Sequence, residues 1–240
     1  MPAERLGRWL ARNGVASRRE ADRLMAEGRV SVDGEVAPPS GRLIDPDRNQ
    51  VRLDGRLLET ARAPRRYLLL NKPWGVVSTA RDPAGRTTVL DLVPDRRGLF
   101  PVGRLDADSR GLMLLTDDGD LALRLTHPRY QVAKTYLVGL REPLDRDQLE
   151  RLRQGPELAD GPTHPLEVRA RPGRRPALLL TLAEGRRRQV RRMCQAVGAA
   201  VTDLQRVELA GLRLGTLAEG RLRELSLGEV RRLRSGAGLE

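Results

Sequence analysis

Residues 103–119 read GRLDADSRGLMLLTDDG, and this stretch decides how the longer part of the chain is folded. Leu112 to Leu115 form an apolar run of strand length, and Asp118-Gly119 supplies a turn after it. Ahead of the run, Arg104 and Asp106 flank a single leucine. Side chains two apart in a strand share a face, so the spacing predicts Arg104 and Asp106 on the same side. On spacing alone, a surface ion pair at a loop–strand junction is the better account of them.

Outward from this stretch, strand-like and helix-like segments alternate irregularly. Residues 67–70 form a short buried run ending at Asn71-Lys72-Pro73, and Val76-Val77 resumes after Gly75. Residues 134–140 (KTYLVGL) and 177–182 (ALLLTL) add strands. Helices are predicted near 145–153, 187–197 and 227–233. In the second of these, Val190, Met193, Cys194 and Val197 recur at helical spacing as a buried stripe. Arg187 and Arg191 border that stripe, while Arg188 and Arg192 fall farther round. Strands with interspersed helices but no regular βαβ rhythm predict an α+β fold, its mostly antiparallel sheet flanked by helices. Neither a phosphate loop nor a dinucleotide fingerprint is present.

The first 40 residues are compact and differently built. Leu6, Trp9 and Leu10 follow helical spacing up to Asn13-Gly14. Ser17 and Glu20 have the spacing of a capping box opening a second helix, whose inner face is Ala21, Leu24 and Met25. Val30, Val32 and Val36 alternate around Asp33-Gly34, a hairpin signal. Arg5, Arg8 and Arg12 lie along one side of the first helix, and Arg19 and Arg23 one turn apart on the second. A solvated face accounts for such charges as well as a binding face does. The expected organisation is residues 1–60, a linker at 61–66 around Pro64, residues 67–235, and a flexible tail at 236–240.

Composition narrows the function. The 240 residues carry a net charge of +12, and 44 basic side chains include only two lysines, Lys72 and Lys134. Residues 1–60 contribute +1 and the remainder +11. Such an excess calls for a polyanion, RNA or DNA. One cysteine, Cys194, and two histidines exclude a disulfide framework and make a metal centre or cofactor-ligating cluster improbable. With no signal-peptide core and no membrane-length apolar run, a cytoplasmic protein is expected. No oligomerisation seam is legible, which points to a monomer.

Two resemblances sharpen this. The segment RLGRWLARNGVASRREADRLMAEGRVSVDGEV (5–36) resembles the S4 RNA-binding module, two helices plus a hairpin. That resemblance implies RNA contact by Arg5, Arg8, Arg12, Arg18, Arg19 and Arg23, through phosphates and groove shape. GRLDADSRGLMLLTDDG, with NKPWGVVST (71–79) before it and KTYLV (134–138) and EGRRRQVRRMCQAVG (184–198) after it, resembles the pseudouridine synthases. The similar branch is the one that modifies ribosomal RNA and carries an S4 module in front. The resemblance implies a cofactor-free isomerisation of one uridine, with Asp106 as the catalytic aspartate, nucleophile or base. It further implies Arg191 as its cationic partner, Tyr136 stacking on the uracil, and Arg104 entering the RNA stack. Arg186, Arg188, Arg192 and Lys72 are then expected on RNA, with Gln189 near the site. Large-subunit (23S) rRNA is the expected target. Small-subunit (16S) rRNA is the alternative, and an inactive ribosome-assembly factor is the reading from another class.

Overall fold

The computed structural model describes residues 3–58, 64–171, 173 and 176–239. The chain forms two compact units. The first runs to Arg66 and includes residues 95–99 and 117–119, and the second holds the rest.

In the first unit, helices Leu6–Arg12 and Arg18–Ala26 pack over a four-stranded sheet. Leu6, Trp9, Leu10, Ala21, Leu24, Met25, Val30 and Val32 make its core, as their spacing predicts. Asn13 closes the first helix, followed by Gly14 at φ 69°. Ser17 caps the second by accepting from the Glu20 amide at 3.2 Å, but Glu20 turns to Arg23 instead of reaching back. Half of the capping box therefore forms. Asp33 and Gly34 both take positive φ, 54° and 88°, as a tight hairpin turn between Val30–Val32 and Glu35–Val36 requires.

The expected linker falls partly on residues 59–63, outside the described residues. Its last two members are anchored: Arg65 pairs with Asp118, and the Arg66 amide donates to Asp117 at 3.0 Å.

The second unit is built on a nine-stranded sheet. Its main order is Pro165–Arg171, Ala177–Leu182, Lys134–Leu140, Val201–Leu209, Arg110–Thr116, Tyr67–Lys72 and Leu222–Glu224. Every pairing is antiparallel except Val201–Leu209 against Arg110–Thr116. That parallel seam divides the sheet into halves, each with its own core. One core packs Leu69, Leu112, Leu114 and Leu209 against helices Gly119–Thr126 and Leu227–Gly236. The other packs Val138, Leu178, Leu180 and Leu204 against helices Arg146–Gln154 and Gln189–Ala196.

Gly111 shows how tightly the seam closes. It sits at φ 105°, and a Cβ there would lie 2.3 Å from the Arg206 carbonyl oxygen. Only glycine fits such an approach.

Three expectations change. Val76-Val77 is not a strand; Val77 makes only an isolated bridge to Thr88. The 187–197 helix starts at Gln189, because Arg188 takes left-handed φ and ψ of 52° and 30°. The supposed tail from 236 is packed as far as Leu239: Gly236 ends a helix, Ala237 is buried and Leu239 packs on the core, while Glu240 lies outside the described residues. No helix among the described residues is long and apolar enough to cross a membrane.

Candidate active site

Asp106 does not lie on a strand. It opens a turn, closed by the Ser109 amide donating to the Asp106 carbonyl at 3.0 Å, just before strand Arg110–Thr116. The same-face prediction for Arg104 and Asp106 therefore has no strand to act on. Leu105 between them is buried and anchors the turn from below, while Arg104 is exposed.

The turn is held almost carbonyl by carbonyl by the 72–78 loop. Ser78 Oγ donates to the Leu105 carbonyl at 2.7 Å and accepts from the Leu105 amide at 3.0 Å. The Gly75 amide donates to the Ala107 carbonyl at 2.8 Å. Lys72 Nζ donates to the Ser109 carbonyl at 2.6 Å and to the Pro73 carbonyl at 3.1 Å. A lysine expected on RNA is thus wholly buried, spending its donors on backbone. Burial pushes its ammonium down to about 8, against the charges of Asp106, Asp108 and Glu219, which favour protonation.

The basic run of 184–192 meets the turn from the other side, in a different arrangement from the one expected. Arg191 reaches Asp108: its Nη2 donates to the Asp108 carbonyl at 2.7 Å, and its Nε lies 3.4 Å from Asp108 Oδ2. The cation nearest the Asp106 carboxylate is Arg188, with Nη1 at 4.0 Å from Oδ2, while its Nη2 donates to Asp108 Oδ2 at 2.9 Å. The expected Arg191–Asp106 pairing is therefore replaced. Helical spacing failed here because the helix begins only at Gln189, which frees Arg188 to bend back over the turn.

A non-glycine residue in the left-handed region costs about 1–2 kcal/mol, which the bond to Asp108 and the helix start help to offset. Desolvation raises the Asp108 carboxyl, but the Arg188 hydrogen bond and the charges of Arg191 and Arg188 outweigh it, leaving the group below its ordinary range. Asp106 and Arg188 are each 42% exposed. At that exposure their attraction is worth at most about 1 kcal/mol, so it does little for stability.

Two other arginines expected on RNA are held by contacts within the chain. Arg192 makes a bidentate pair with Asp160 at 2.9 and 3.0 Å. Arg186 donates to Glu184 at 2.9 Å and to the carbonyls of Asp160, Gly161 and Pro162 at 3.1, 3.0 and 2.6 Å. Most of their donors go to the 160–162 loop. Gln189 is buried, accepts from the Arg186 amide at 3.0 Å and donates to Glu184, so it braces the loop that carries Arg188. Cys194 is core, its thiol pushed up to about 12 by burial. Among the described residues, no three His, Cys, Asp or Glu side chains gather to hold a metal ion.

On the first unit, Arg5, Arg8, Arg18, Arg19 and Arg23 are exposed. Arg12 pairs with Glu4, and Arg23 with Glu20 and Glu27. Above the turn, Arg104, Asp106, Tyr136, Glu184, Arg187 and Arg188 line a cleft of about 320 Å³. It therefore offers the Asp106 carboxylate, with Glu184 also on its wall, one aromatic face and a rim of guanidinium groups. Arg191 stays beneath, holding the turn.

Comparison with known proteins identifies the family. Residues 66–196 match the family model for RNA pseudouridylate synthase, and residues 4–43 match the S4 domain. A Bacillus subtilis protein named ribosomal large subunit pseudouridine synthase B is 41% identical over 239 residues, covering 97% of this chain and 96% of its own. A Yersinia pestis protein of the same name is 39% identical over 96% of this chain and 75% of its own. A crystal structure of a pseudouridylate synthase superposes with a TM-score of 0.66 at 30% identity, covering 95% of this chain and 99% of that one. An S4 module followed by this sheet, matched along nearly the whole chain, makes the protein a member of the RNA pseudouridylate synthase family: an isomerase acting on RNA.

Proposed function

We propose that the chain converts one uridine of 23S ribosomal RNA to pseudouridine, without a cofactor, as a cytoplasmic monomer, with Asp106 as the reacting carboxylate. The observation that carries this reading is the Asp106 turn. It presents a half-exposed carboxylate into a cleft beside an aromatic side chain, and its backbone is held from both sides. Supporting the choice of RNA are the names of the Bacillus and Yersinia relatives.

The reaction breaks the N1–C1′ bond and forms a C5–C1′ bond; the C5 proton leaves and N1 gains one. Atoms and electrons balance within the nucleotide. Asp106 acts at the sugar, adding to it or removing a proton. Tyr136 stacks on the freed uracil while it turns, and Arg104 fills the RNA stack left by the extruded base. Arg188 places a guanidinium 4.0 Å from the Asp106 carboxylate, at the rim of the cleft. Arg191 acts one step away, as a positioning residue, by fixing the Asp108 carbonyl.

The test is Asp106→Asn, with pseudouridine formation and rRNA binding both measured. Formation should vanish while affinity stays within about twofold of the native protein, since one neutralised half-exposed group makes little difference to a polyanion contact. Retained turnover would remove Asp106 from the mechanism. Mapping pseudouridines in rRNA from a deletion strain decides the target. A site lost from 23S supports the proposal, and one lost from 16S replaces it.

A further inference from the structure

A second cleft adjoins the first. Arg104, Tyr136 and Gly185 line both, whereas Asp106 lines only the first. What sets the second apart is its charge. Arg104, Lys134 and Arg206 line it, and no aspartate or glutamate does.

Arg206 is 3% exposed, yet no carboxylate partners it. Its Nε donates to the Leu112 carbonyl at 2.8 Å, its Nη2 lies 4.0 Å from Met113 Sδ, and its guanidinium also donates to the Tyr136 hydroxyl across the strand pair. Lys134 Nζ donates to the Val132 carbonyl at 2.8 Å, which uses one of its three N–H groups. Elsewhere partly buried arginines find acids: Arg110 meets Asp203, and Arg223 meets Glu229. Here two largely buried cations face one cleft without a counter-charge. Burial, and then the charge of Arg206, push Lys134 down to about 8, and burial pushes Arg206 down as well.

Buried charges are normally paired, because an unpaired one loses its hydration without return. An acid-free cleft with two such cations is therefore complementary to an anion that arrives from outside. RNA brings phosphodiesters. A uridine placed between Asp106 and Tyr136 has its own flanking phosphates within reach of the wall that the two clefts share.

We propose that Lys134 and Arg206 form an anion subsite that takes a phosphodiester flanking the isomerised uridine. This rests on the reading of the Asp106 cleft as the place of reaction. The subsite holds the backbone while the base is extruded and turned, so the sugar stays registered against Asp106.

The probe is a short hairpin of rRNA carrying the mapped uridine, with one linkage at a time replaced by a neutral methylphosphonate. Binding is measured for the full chain and for Lys134→Met. One flanking neutral linkage should weaken native binding about tenfold, the value of a charge-assisted hydrogen bond, and should not weaken Lys134→Met further. Linkages elsewhere should affect both proteins alike. Arg206→Met should behave as Lys134→Met does. If that variant does not fold, as judged by circular dichroism, the Lys134 cycle decides alone. Equal weakening of both proteins at the flanking linkages, or none in either, overturns the subsite. Turnover of the unmodified hairpin is followed in parallel. Isomerisation without coupling rejects the subsite and leaves the reaction site standing, whereas coupling without isomerisation does the reverse.

Discussion

Arginines crowd two regions, the helices Leu6–Arg12 and Arg18–Ala26 and the run 186–192, and their surroundings differ. At the N-cap of helix Leu6–Arg12 and on helix Arg18–Ala26, Arg5, Arg18 and Arg19 are exposed and meet no acid among the described residues. In the run, Arg186 and Arg192 fasten Asp160 while Arg188 and Arg191 fasten Asp108. Only Arg187 is exposed there without a partner among the described residues. The denser cluster thus offers less of its charge to RNA. Local acids, more than the number of arginines, decide which guanidiniums remain for a phosphate.

The contrast can be broken most sharply at the Asp106 turn. Arg191→Ala removes a support from the Asp108 carbonyl, and a misplacement of about 1 Å at a reacting group can lower a rate about 100-fold. Single-turnover pseudouridine formation should fall by about that factor with little change in RNA affinity. Arg188→Ala, which removes a half-exposed pair, should lose less. The reverse ranking would make Arg188 the principal holder of the site.

A smaller effect separates the two regions directly. Replacing both Arg18 and Arg19 by Ala should weaken rRNA binding several-fold and reduce the slope of log affinity against log salt by about 0.7–0.9 per arginine. Arg192→Ala should leave that slope unchanged. It should instead lower the melting temperature by about 2–4 °C, as expected from losing about 1 kcal/mol in a domain of this size. A salt-slope change in Arg192→Ala would place that residue on RNA after all.

A further effect, on stability alone, concerns Lys72. Its folded-state value, about 8, lies below the ordinary 10.5. Below about 8 the group is charged in both states, and above 10.5 it is neutral in both. Between them the unfolded chain holds more protons, so the stability Lys72 contributes rises with pH. Urea unfolding of the native protein against Lys72→Met should show the native advantage growing by about 3 kcal/mol from pH 8 to 10.5. A flat difference would mean that the ammonium is not desolvated.

The legible parts of the fold were those with a strong period and clean ends. Strands Lys134–Leu140 and Ala177–Leu182 coincide with their apolar runs, and Val190, Met193, Cys194 and Val197 are buried as their spacing predicts. Strand Val201–Leu209, VTDLQRVEL, escaped notice because charged and polar residues interrupt it. One of them, Arg206, is buried at the parallel seam, a placement that no hydropathy pattern signals. Lys72 escaped for the same reason: a lysine in sequence reads as surface, whereas this one is used as a backbone donor.

By itself the sequence determined the family, the module order and the identity of the candidate carboxylate, because these rest on local motifs in a definite order. Tertiary structure decided the pairing. Whether Arg188 or Arg191 approaches Asp106 depends on where a helix starts and how a backbone enters the left-handed region. Whether Arg186, Arg192 and Lys72 face RNA depends on acids and carbonyls brought close by folding, from the 160–162 loop and from Ser109. Hydrogen bonds and ion pairs act over a few ångströms, and residues far apart in sequence come within that range only in the folded chain.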